Sequence, residues 1–310
     1  MSDALTQARE LLEQQRFQDA LELLHSVETM YSVVKVSVAR ALSGLGKWEQ
    51  AHSLFSEVIE QDPSSHEALA GRGLLYFLTG NFRDALVDYS QAIENGPSVG
   101  RYRGLRGVLF AQAGDAPRAI SDLEAAYDLG CHDPAFTLSR AQIQLTVRDA
   151  TKAQEAIALA ERGGGDEVAI AILEGALSML KGDPKEAYAS YRFAVEKAPE
   201  SITNWMNFLA LTAQLDRANL IPEAERALEL HPDSEELIQL AVGAYREGGK
   251  KKRAIRLLKE AVKRNSKSPL LYFQLGLGYA YAEKFEKAIE HLTSALELAP
   301  RFPRALDARG

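Results

Sequence analysis

The residues that could carry out chemistry are few in this chain and lie far apart. Six histidines are present, and no two are three or four residues apart, the spacing that places two metal ligands on one helix face. They are His25, His52, His66, His132, His231 and His291. The chain has no glycine-rich phosphate loop, no His-Glu-x-x-His and no Gly-x-Ser-x-Gly. We therefore expect no catalytic site, no metal and no cofactor.

The single cysteine adds little chemistry. Cys131 can form neither an internal disulfide nor a thiolate metal site, because each needs a second thiol, and this favours a reducing compartment. The N-terminus lacks a basic segment followed by an apolar run, so no signal peptide is predicted. No run of about 18 apolar residues predicts a membrane span. We expect a cytoplasmic protein.

Three arginines recur at one constant interval: Arg72, Arg106 and Arg140. Asp88 and Asp122 follow the first two by sixteen residues, at the separation expected for the second helix of a helix pair. Arginine and carboxylate can form a bidentate bridge there, so the prediction is a structural role and no anion-binding ladder. Ala156 stands at the matching place for the third arginine, which could instead reach back to Asp122.

A basic cluster lies within residues 235–268, which contain ten basic and four acidic residues in a chain of net charge −7. The cluster includes Lys250, Lys251, Lys252, Arg253 and Arg256. Its alternation with apolar residues is typical of the solvated outer face of a helix. The alternative is a patch for an acidic partner, an anionic membrane surface or a localisation signal. Because the whole chain is acidic, its composition disfavours nucleic acid as a partner.

An alanine that recurs every 34 residues, apart from a gap of 67 between Ala187 and Ala254, determines the architecture. The first series is Ala51, Ala85, Ala119, Ala153, Ala187, Ala254 and Ala288, and a second follows seven residues later through Val58, Ala92, Ala126, Ala160, Ala194, Ala227, Ala261 and Ala295. A period of this size indicates stacked supersecondary units. In residues 66–99 two helical faces flank Gly80-Asn81, and Pro97 closes the unit. We expect Tyr76, Phe82 and Tyr89 to fill the holes between neighbouring helix pairs.

The pattern resembles the tetratricopeptide repeat, a helix–turn–helix of about 34 residues. The last full unit carries Tyr272, Leu275, Gly276, Tyr279, Ala288, Leu292, Ala295 and Pro300. The resemblance implies an all-α fold, a right-handed superhelical solenoid of about nine repeats over residues 1–302. The units lie near 1–31, 32–65, 66–99, 100–133, 134–167, 168–201, 202–234, 235–268 and 269–302. Residues 303–310 are predicted to form a partial tenth helix or a cap.

Three repeats depart from the pattern. The first has only 31 residues. The fifth has Arg148-Asp149 where a turn glycine is usual. The seventh is one residue short, carries Leu220 in place of the alanine and has Pro222 near the start of its second helix. We expect a local irregularity in the seventh repeat. The abrupt tail after residue 302 suggests that the chain is a fragment of a longer protein.

The resemblance also implies where a partner binds, because the first helices of such repeats line a concave groove. The residues that this register places in the groove are Leu74, Phe77, Arg101, Val108, Ile172, Met179, Met206, Asn207, Phe273, Leu277 and Tyr281. The family's lysine and asparagine clamp for a C-terminal carboxylate is absent, since those positions hold Leu5, Arg9, Ser37, Glu67 and Gly71. The family's asparagine ladder is also absent, apart from Asn207 and Gln274.

The main hypothesis is a non-catalytic scaffold or adaptor that binds a peptide or helix of a partner protein in the groove, with no small-molecule substrate. The alternative is a regulatory or substrate-recruiting arm of a larger enzyme or assembly complex. Self-association through unfinished ends is a further possibility.

Overall fold

The structure is a computed structural model that describes residues 2–25 and 31–309. Nineteen helices and no strand occur in these residues. The all-helical repeat fold expected from the sequence is confirmed, and nine helix pairs precede one last short helix. The helices are α1 (Ser2–Glu13), α2 (Phe17–His25), α3 (Ser32–Gly44), α4 (Trp48–Gln61), α5 (His66–Leu78), α6 (Phe82–Asn95), α7 (Gly100–Gln112), α8 (Ala116–Asp128), α9 (Pro134–Thr146), α10 (Ala150–Arg162), α11 (Glu167–Lys181), α12 (Pro184–Lys197), α13 (Ile202–Leu215), α14 (Leu220–Leu230), α15 (Glu235–Glu247), α16 (Lys251–Arg264), α17 (Pro269–Tyr281), α18 (Phe285–Leu298) and α19 (Pro303–Arg309).

The helices form two compact units, Met1–Asp166 and Glu167–Gly310. Within each unit, both helices of a repeat pack together and the second contacts the first helix of the next repeat. Neighbouring first helices also contact each other in several places. Examples are the pairs α3 and α5, α7 and α9, and α13 and α15. Second helices make no comparable contact with one another in the described residues. The first helices therefore lie on the inner side of each unit, and this side is called the inner face below.

Small residues let the paired helices approach closely. The regularly spaced alanines from Ala51 to Ala187 are fully buried. In the third repeat, a Cβ added at Gly73 would lie 3.0 Å from the ring of Tyr89, tighter than ordinary van der Waals contact. Tyr89 is itself buried, as expected, but Phe82 is 48 % exposed and does not fill a hole. Phe82 is the first residue of α6, and its ring lies beside that of Phe77 near the end of α5.

The turn inside a repeat uses a residue in the left-handed region. Gly114 takes this role in the fourth repeat with φ +76°, and Arg148 takes it in the fifth with φ +61°. No such residue occurs in residues 216–219, which join α13 to α14, so the seventh repeat turns differently. Its second helix has only 11 residues, and Leu220 at its start is buried. The irregularity expected for the seventh repeat is thus a changed turn and a shortened helix.

The seventh repeat gains other contacts where the usual turn is lost. Trp205 is fully buried, and its indole N–H donates a hydrogen bond of 2.8 Å to the carbonyl of Pro199. The amide of Asn204 donates to the carbonyls of Ala194 and Ala198, each at 3.3 Å. These bonds tie the start of α13 to the backbone at and just beyond the end of α12. A continuous apolar cluster from α12 to α18 then encloses the repeat.

Candidate functional site

The inner face of the first unit carries a line of apolar side chains that are only half buried. Leu74, Phe77 and Val108 keep part of their surface accessible, and Arg101 beside them is exposed. The ring of Phe77 lies 6.0 Å from that of Phe82 and packs against the cluster formed by Ala85, Tyr89 and Leu109. Phe77 is therefore anchored in the core on one side and leaves part of its ring accessible on the other.

The inner face of the second unit has the same character. Ile172, Met206, Asn207 and Leu277 are half buried, whereas Met179 is 42 % exposed. Met206 also packs against the main cluster of this unit. Methionine side chains adapt to different shapes, so this face suits an apolar contact with variable geometry.

Phe273 departs from the groove expected from the sequence, because it is buried. Its ring lies 5.0 Å from that of Phe302, in a cluster that joins α17 to α19. Phe302 precedes α19 and is remote from Phe273 in sequence, so a register drawn on one helix could not reveal the contact. Phe273 is thus a core residue and offers no surface to a partner.

Tyr281 is exposed but has a different setting from the apolar residues. Lys251 lies 4.3 Å and Arg246 5.4 Å from the centre of its ring. The Lys251 ammonium also donates a hydrogen bond of 3.1 Å to the Tyr281 carbonyl. The structure therefore joins Tyr281 to the start of the basic cluster. The sequence offered only a weak signal, since Tyr281 follows Lys251 by 30 residues and belongs to the next repeat.

The three regularly spaced arginines form internal bridges in two of three repeats, as predicted. Arg72 donates to both carboxylate oxygens of Asp88 at 2.8 and 2.9 Å, and Arg106 does the same with Asp122 at 2.7 and 2.9 Å. The hydrogen bonds that Arg72 donates to Asp88 are the largest influence that raises the pKa of Arg72 above its ordinary value, and burial opposes them. Both carboxylates are buried, so the pairs are structural and unavailable to a ligand.

Each bridging arginine also reaches the preceding repeat. Arg72 donates to the hydroxyl of Ser56 at 3.4 Å, and Arg106 to that of Ser90 at 3.0 Å. The suggested contact from Arg140 back to Asp122 is wrong. The Arg140 guanidinium lies instead 5.0 Å from the ring centre of Tyr127. Besides its pair with Arg106, Asp122 forms an ion pair with Arg103 at 3.7 Å.

The basic cluster divides between paired and unpaired residues. Arg253 forms an ion pair with Glu225 at 3.0 Å, and Arg264 forms one with Asp233 at 2.8 Å. Arg256 lines a cleft together with Glu229 and Glu260. Glu225 lies on α14 and Asp233 follows it, so these two ion pairs stabilise the packing of α16 on the preceding repeat.

No group of three or more histidine, cysteine or acidic side chains that could hold a metal occurs in residues 2–25 and 31–309. Cys131 is half buried. Across the same residues, every helix is too short or too polar to traverse a lipid bilayer.

Two family models match this sequence, and both describe the tetratricopeptide repeat. One matches residues 38–89 and again 79–134, and the other matches residues 269–302. The matched segments contain the helix pairs described above and their buried alanines. The chain is a tetratricopeptide repeat protein.

Solved structures with the same fold cover much of this tetratricopeptide repeat protein. A chain of the APC/C hetero-tetramer Cut9-Hcn1 aligns with 99 % of it at 17 % identity and a TM-score of 0.51. The Pseudomonas aeruginosa protein PilF aligns with 69 % at 15 % identity and a TM-score of 0.59, over 96 % of its own length. Human IFIT1, as a dimer with m7Gppp-AAAA, aligns with 94 % at 17 % identity and a TM-score of 0.52, over 80 % of its length.

The present chain spans 54 % of the matched chain in the Cut9-Hcn1 structure, about half of its length. A search of curated proteins found no match to the sequence. At these identities the solved structures establish the fold alone. Together with the repeats, they support a scaffold for protein–protein interaction in general terms.

Proposed function

We propose that this tetratricopeptide repeat protein is a non-catalytic adaptor that binds a peptide segment or a helix of another protein on its inner face. The observation that carries the proposal is the line of half-buried apolar side chains on the first helices, typified by Leu74 and Phe77 on α5 and Val108 on α7. A partner that covers these side chains completes their removal from water, which is the main source of favourable free energy in association.

The rigidity of the surface favours binding as well. The inner residues project from helices whose other sides are packed in the core, so little conformational entropy is lost when a partner docks. Arg101 supplies an exposed cation at the edge of the apolar line, and it can orient a partner through a carboxylate.

The second unit allows a matched pair of variants to test the proposal. Met179 on the first helix α11 is 42 % exposed, and Phe193 on the second helix α12 is 38 % exposed. We expect Met179→Asp to reduce the recovery of specific partners in a quantitative pull-down with mass spectrometry. Phe193→Asp changes a similarly exposed apolar residue outside the inner face and is expected to leave recovery unchanged.

The first unit offers an independent pair. Leu78 at the end of α5 is 50 % exposed, and Val87 on α6 is 52 % exposed. Leu78→Asp is expected to weaken partner recovery and Val87→Asp to leave it intact, with circular dichroism used to confirm folding of both. If neither inner-face variant changes the recovered proteins, or if the outer variants have equal effects, the inner face is not the binding surface.

A second candidate is a recruiting arm within a larger assembly. It is supported by the alignment of 99 % of this chain with about half of a chain from a hetero-tetramer. Size-exclusion chromatography of the endogenous protein distinguishes the two proposals. Elution of all of the protein in a large, stable complex supports the arm, whereas reversible exchange of partners supports the adaptor.

A further inference from the structure

Several residues of the basic cluster lack a carboxylate partner among the described residues, and four basic residues without one lie together at its start. Arg253 and Arg264 are paired with Glu225 and Asp233. Arg246, Lys250, Lys251 and Lys252 form no ion pair with any residue that the structure describes. The four residues surround the turn between α15 and α16, and Arg246, Lys250 and Lys252 are exposed. This group, together with Tyr281, is called the turn patch.

Nearby carboxylates do not neutralise the turn patch. Glu247 is next to Arg246 in sequence, but it pairs with Arg217. Glu283 is exposed two residues after Tyr281 and is followed by the basic residue Lys284. The local excess of positive charge is therefore retained in the folded protein.

The ring of Tyr281 holds two of these cations in place. Lys251 and Arg246 lie 4.3 and 5.4 Å from the ring centre, and the Lys251 ammonium bonds to the Tyr281 carbonyl at 3.1 Å. Contact with the negative face of an aromatic ring orients a cation without neutralising it. The charges are thus positioned in advance, and the ring remains 42 % exposed beside them.

Folding explains only part of this charge, because Lys251 is bound by Tyr281 and Arg246 lies in the last turn of α15, where a cation is favourable. The first turn of α16 contains no acidic residue and begins with Lys251 and Lys252, whereas the equivalent turns of α4, α6 and α18 contain Glu49, Asp84 and Glu286. The amino-terminal end of a helix carries partial positive charge, so lysines at that end oppose helix formation. Lys250 and Lys252 form no ion pair among the described residues that offsets this cost, and a local choice that works against stability is typical of a functional site.

We propose that the turn patch is a docking site for a segment of a partner protein rich in aspartate and glutamate. Arg246 and Lys251 would bind its carboxylates, and Tyr281 would contact its backbone or aliphatic groups. A short acidic segment fits better than a nucleic acid, because residues 235–268 carry a net charge of +6 within a chain of net charge −7. A long polyanion would reach the acidic remainder of the chain and be repelled by it.

Binding of a fluorescein-labelled oligo-glutamate peptide to the full chain tests the proposal, with fluorescence polarisation measured at low and physiological ionic strength. We expect saturable binding that weakens with salt. The double variant Arg246→Glu/Lys251→Glu should weaken it by about tenfold or more, because two attractive contacts become repulsive.

The matched control is Lys263→Glu/Lys267→Glu, which changes the net charge by the same amount at exposed positions near the far end of α16. It should retain most of the binding. Equal loss in both double variants would show that net charge alone attracts the peptide, and this result would overturn the proposal.

The aromatic ring is tested separately. Tyr281→Ala should weaken binding severalfold without any change of charge, whereas Tyr281→Phe should preserve it, because the ring and the backbone carbonyl make the contacts. An unchanged affinity in Tyr281→Ala would exclude the ring from the site.

Polyadenylate RNA and vesicles containing phosphatidylserine are measured in parallel at the same ionic strength. If either binds more tightly than oligo-glutamate and is lost in Arg246→Glu/Lys251→Glu, the patch serves that ligand and the proposal fails. The outcome is independent of the inner face, since Met179→Asp should leave oligo-glutamate binding unchanged.

Discussion

The fourth and fifth repeats place an arginine at the same position and use it differently. In the fourth, Arg106 joins Asp122 of its own second helix to Ser90 of the preceding repeat. In the fifth, the matching residues are Ala156 and Glu124, and Arg140 lies against Tyr127. Glu124 instead pairs with Lys152 at 3.3 Å. The carboxylate on the second helix therefore decides whether the arginine becomes a structural bridge.

The comparison also shows what each arrangement stabilises. A buried bidentate pair connects three helices of two repeats, but it depends on both partners because a single buried charge is costly. A guanidinium on an aromatic ring needs no exact partner and contributes less. The repeat fold tolerates both because its apolar lattice, represented by Ala119 and Ala153, remains fully buried in each repeat.

Removal of the buried carboxylate should have the largest effect. Asp122→Asn leaves Arg106 without its anion, and we expect the free energy of unfolding to fall by about 2–3 kcal/mol, since Arg103 and partial exposure of Arg106 moderate the loss. Urea denaturation followed by circular dichroism measures the change. Glu124→Gln, in the exposed pair with Lys152, is the control and should cost less than about 0.5 kcal/mol. Equal losses would contradict the distinction between the two repeats.

Introduction of the missing carboxylate should convert the fifth repeat to the arrangement of the fourth. Ala156→Asp alone should change stability by less than about 1 kcal/mol, because Arg140 can then pair with it. In the background of Arg140→Ala, the same substitution should cost about 2 kcal/mol, because the carboxylate is buried without a partner. A double-mutant cycle measures the coupling energy. A coupling near zero would show that the guanidinium of Arg140 cannot reach the second helix.

The hydrogen bond from Arg106 to the preceding repeat should contribute less to stability than the buried ion pair does. Ser90→Ala removes the hydroxyl that accepts from Arg106 at 3.0 Å, and we expect a loss of about 0.5–1 kcal/mol. Ser121→Ala, at an exposed position on α8, is the matched control and should be neutral within error. Urea denaturation measures both variants. An equal loss in Ser90→Ala and Ser121→Ala would show a general effect of serine removal and would exclude a specific contribution from the bond to Arg106.

A substitution in the turn of the fifth repeat should change stability least, and it should stabilise the protein where the others destabilise it. Arg148 has φ +61° where Gly114 of the fourth repeat has φ +76°. Arg148→Gly relieves the crowding of Cβ in this conformation and should stabilise the protein by about 0.5 kcal/mol, after the entropy cost of glycine. Arg148→Ala keeps the Cβ and should give no gain. Thermal unfolding of the wild type and both variants measures the change. The prediction is wrong if Arg148→Ala stabilises the protein as much as Arg148→Gly does.

Several features followed from residues close together within one repeat. The alanine series predicted the helix pairs, and the spacing of sixteen residues predicted the bridges from Arg72 to Asp88 and from Arg106 to Asp122. The weak seventh repeat was also recognised, although its hydrogen bonds from Trp205 and Asn204 were not. Those bonds join side chains to backbone carbonyls. Every residue has a backbone carbonyl, so the residue types do not show which one accepts the bond.

By itself, the sequence determined the repeat period, the pairing of helices and the small residues at their crossings, because these depend on positions within one helix pair. Only the tertiary structure decided that Phe273 is buried by Phe302, that Arg140 stacks on Tyr127 and that the basic cluster divides at the turn patch. The physical reason is that each of these outcomes depends on a side chain that lies far away in the sequence. Arg253 and Glu225 are 28 residues apart, and Arg264 and Asp233 are 31 apart, so their pairing arises only when the repeats stack.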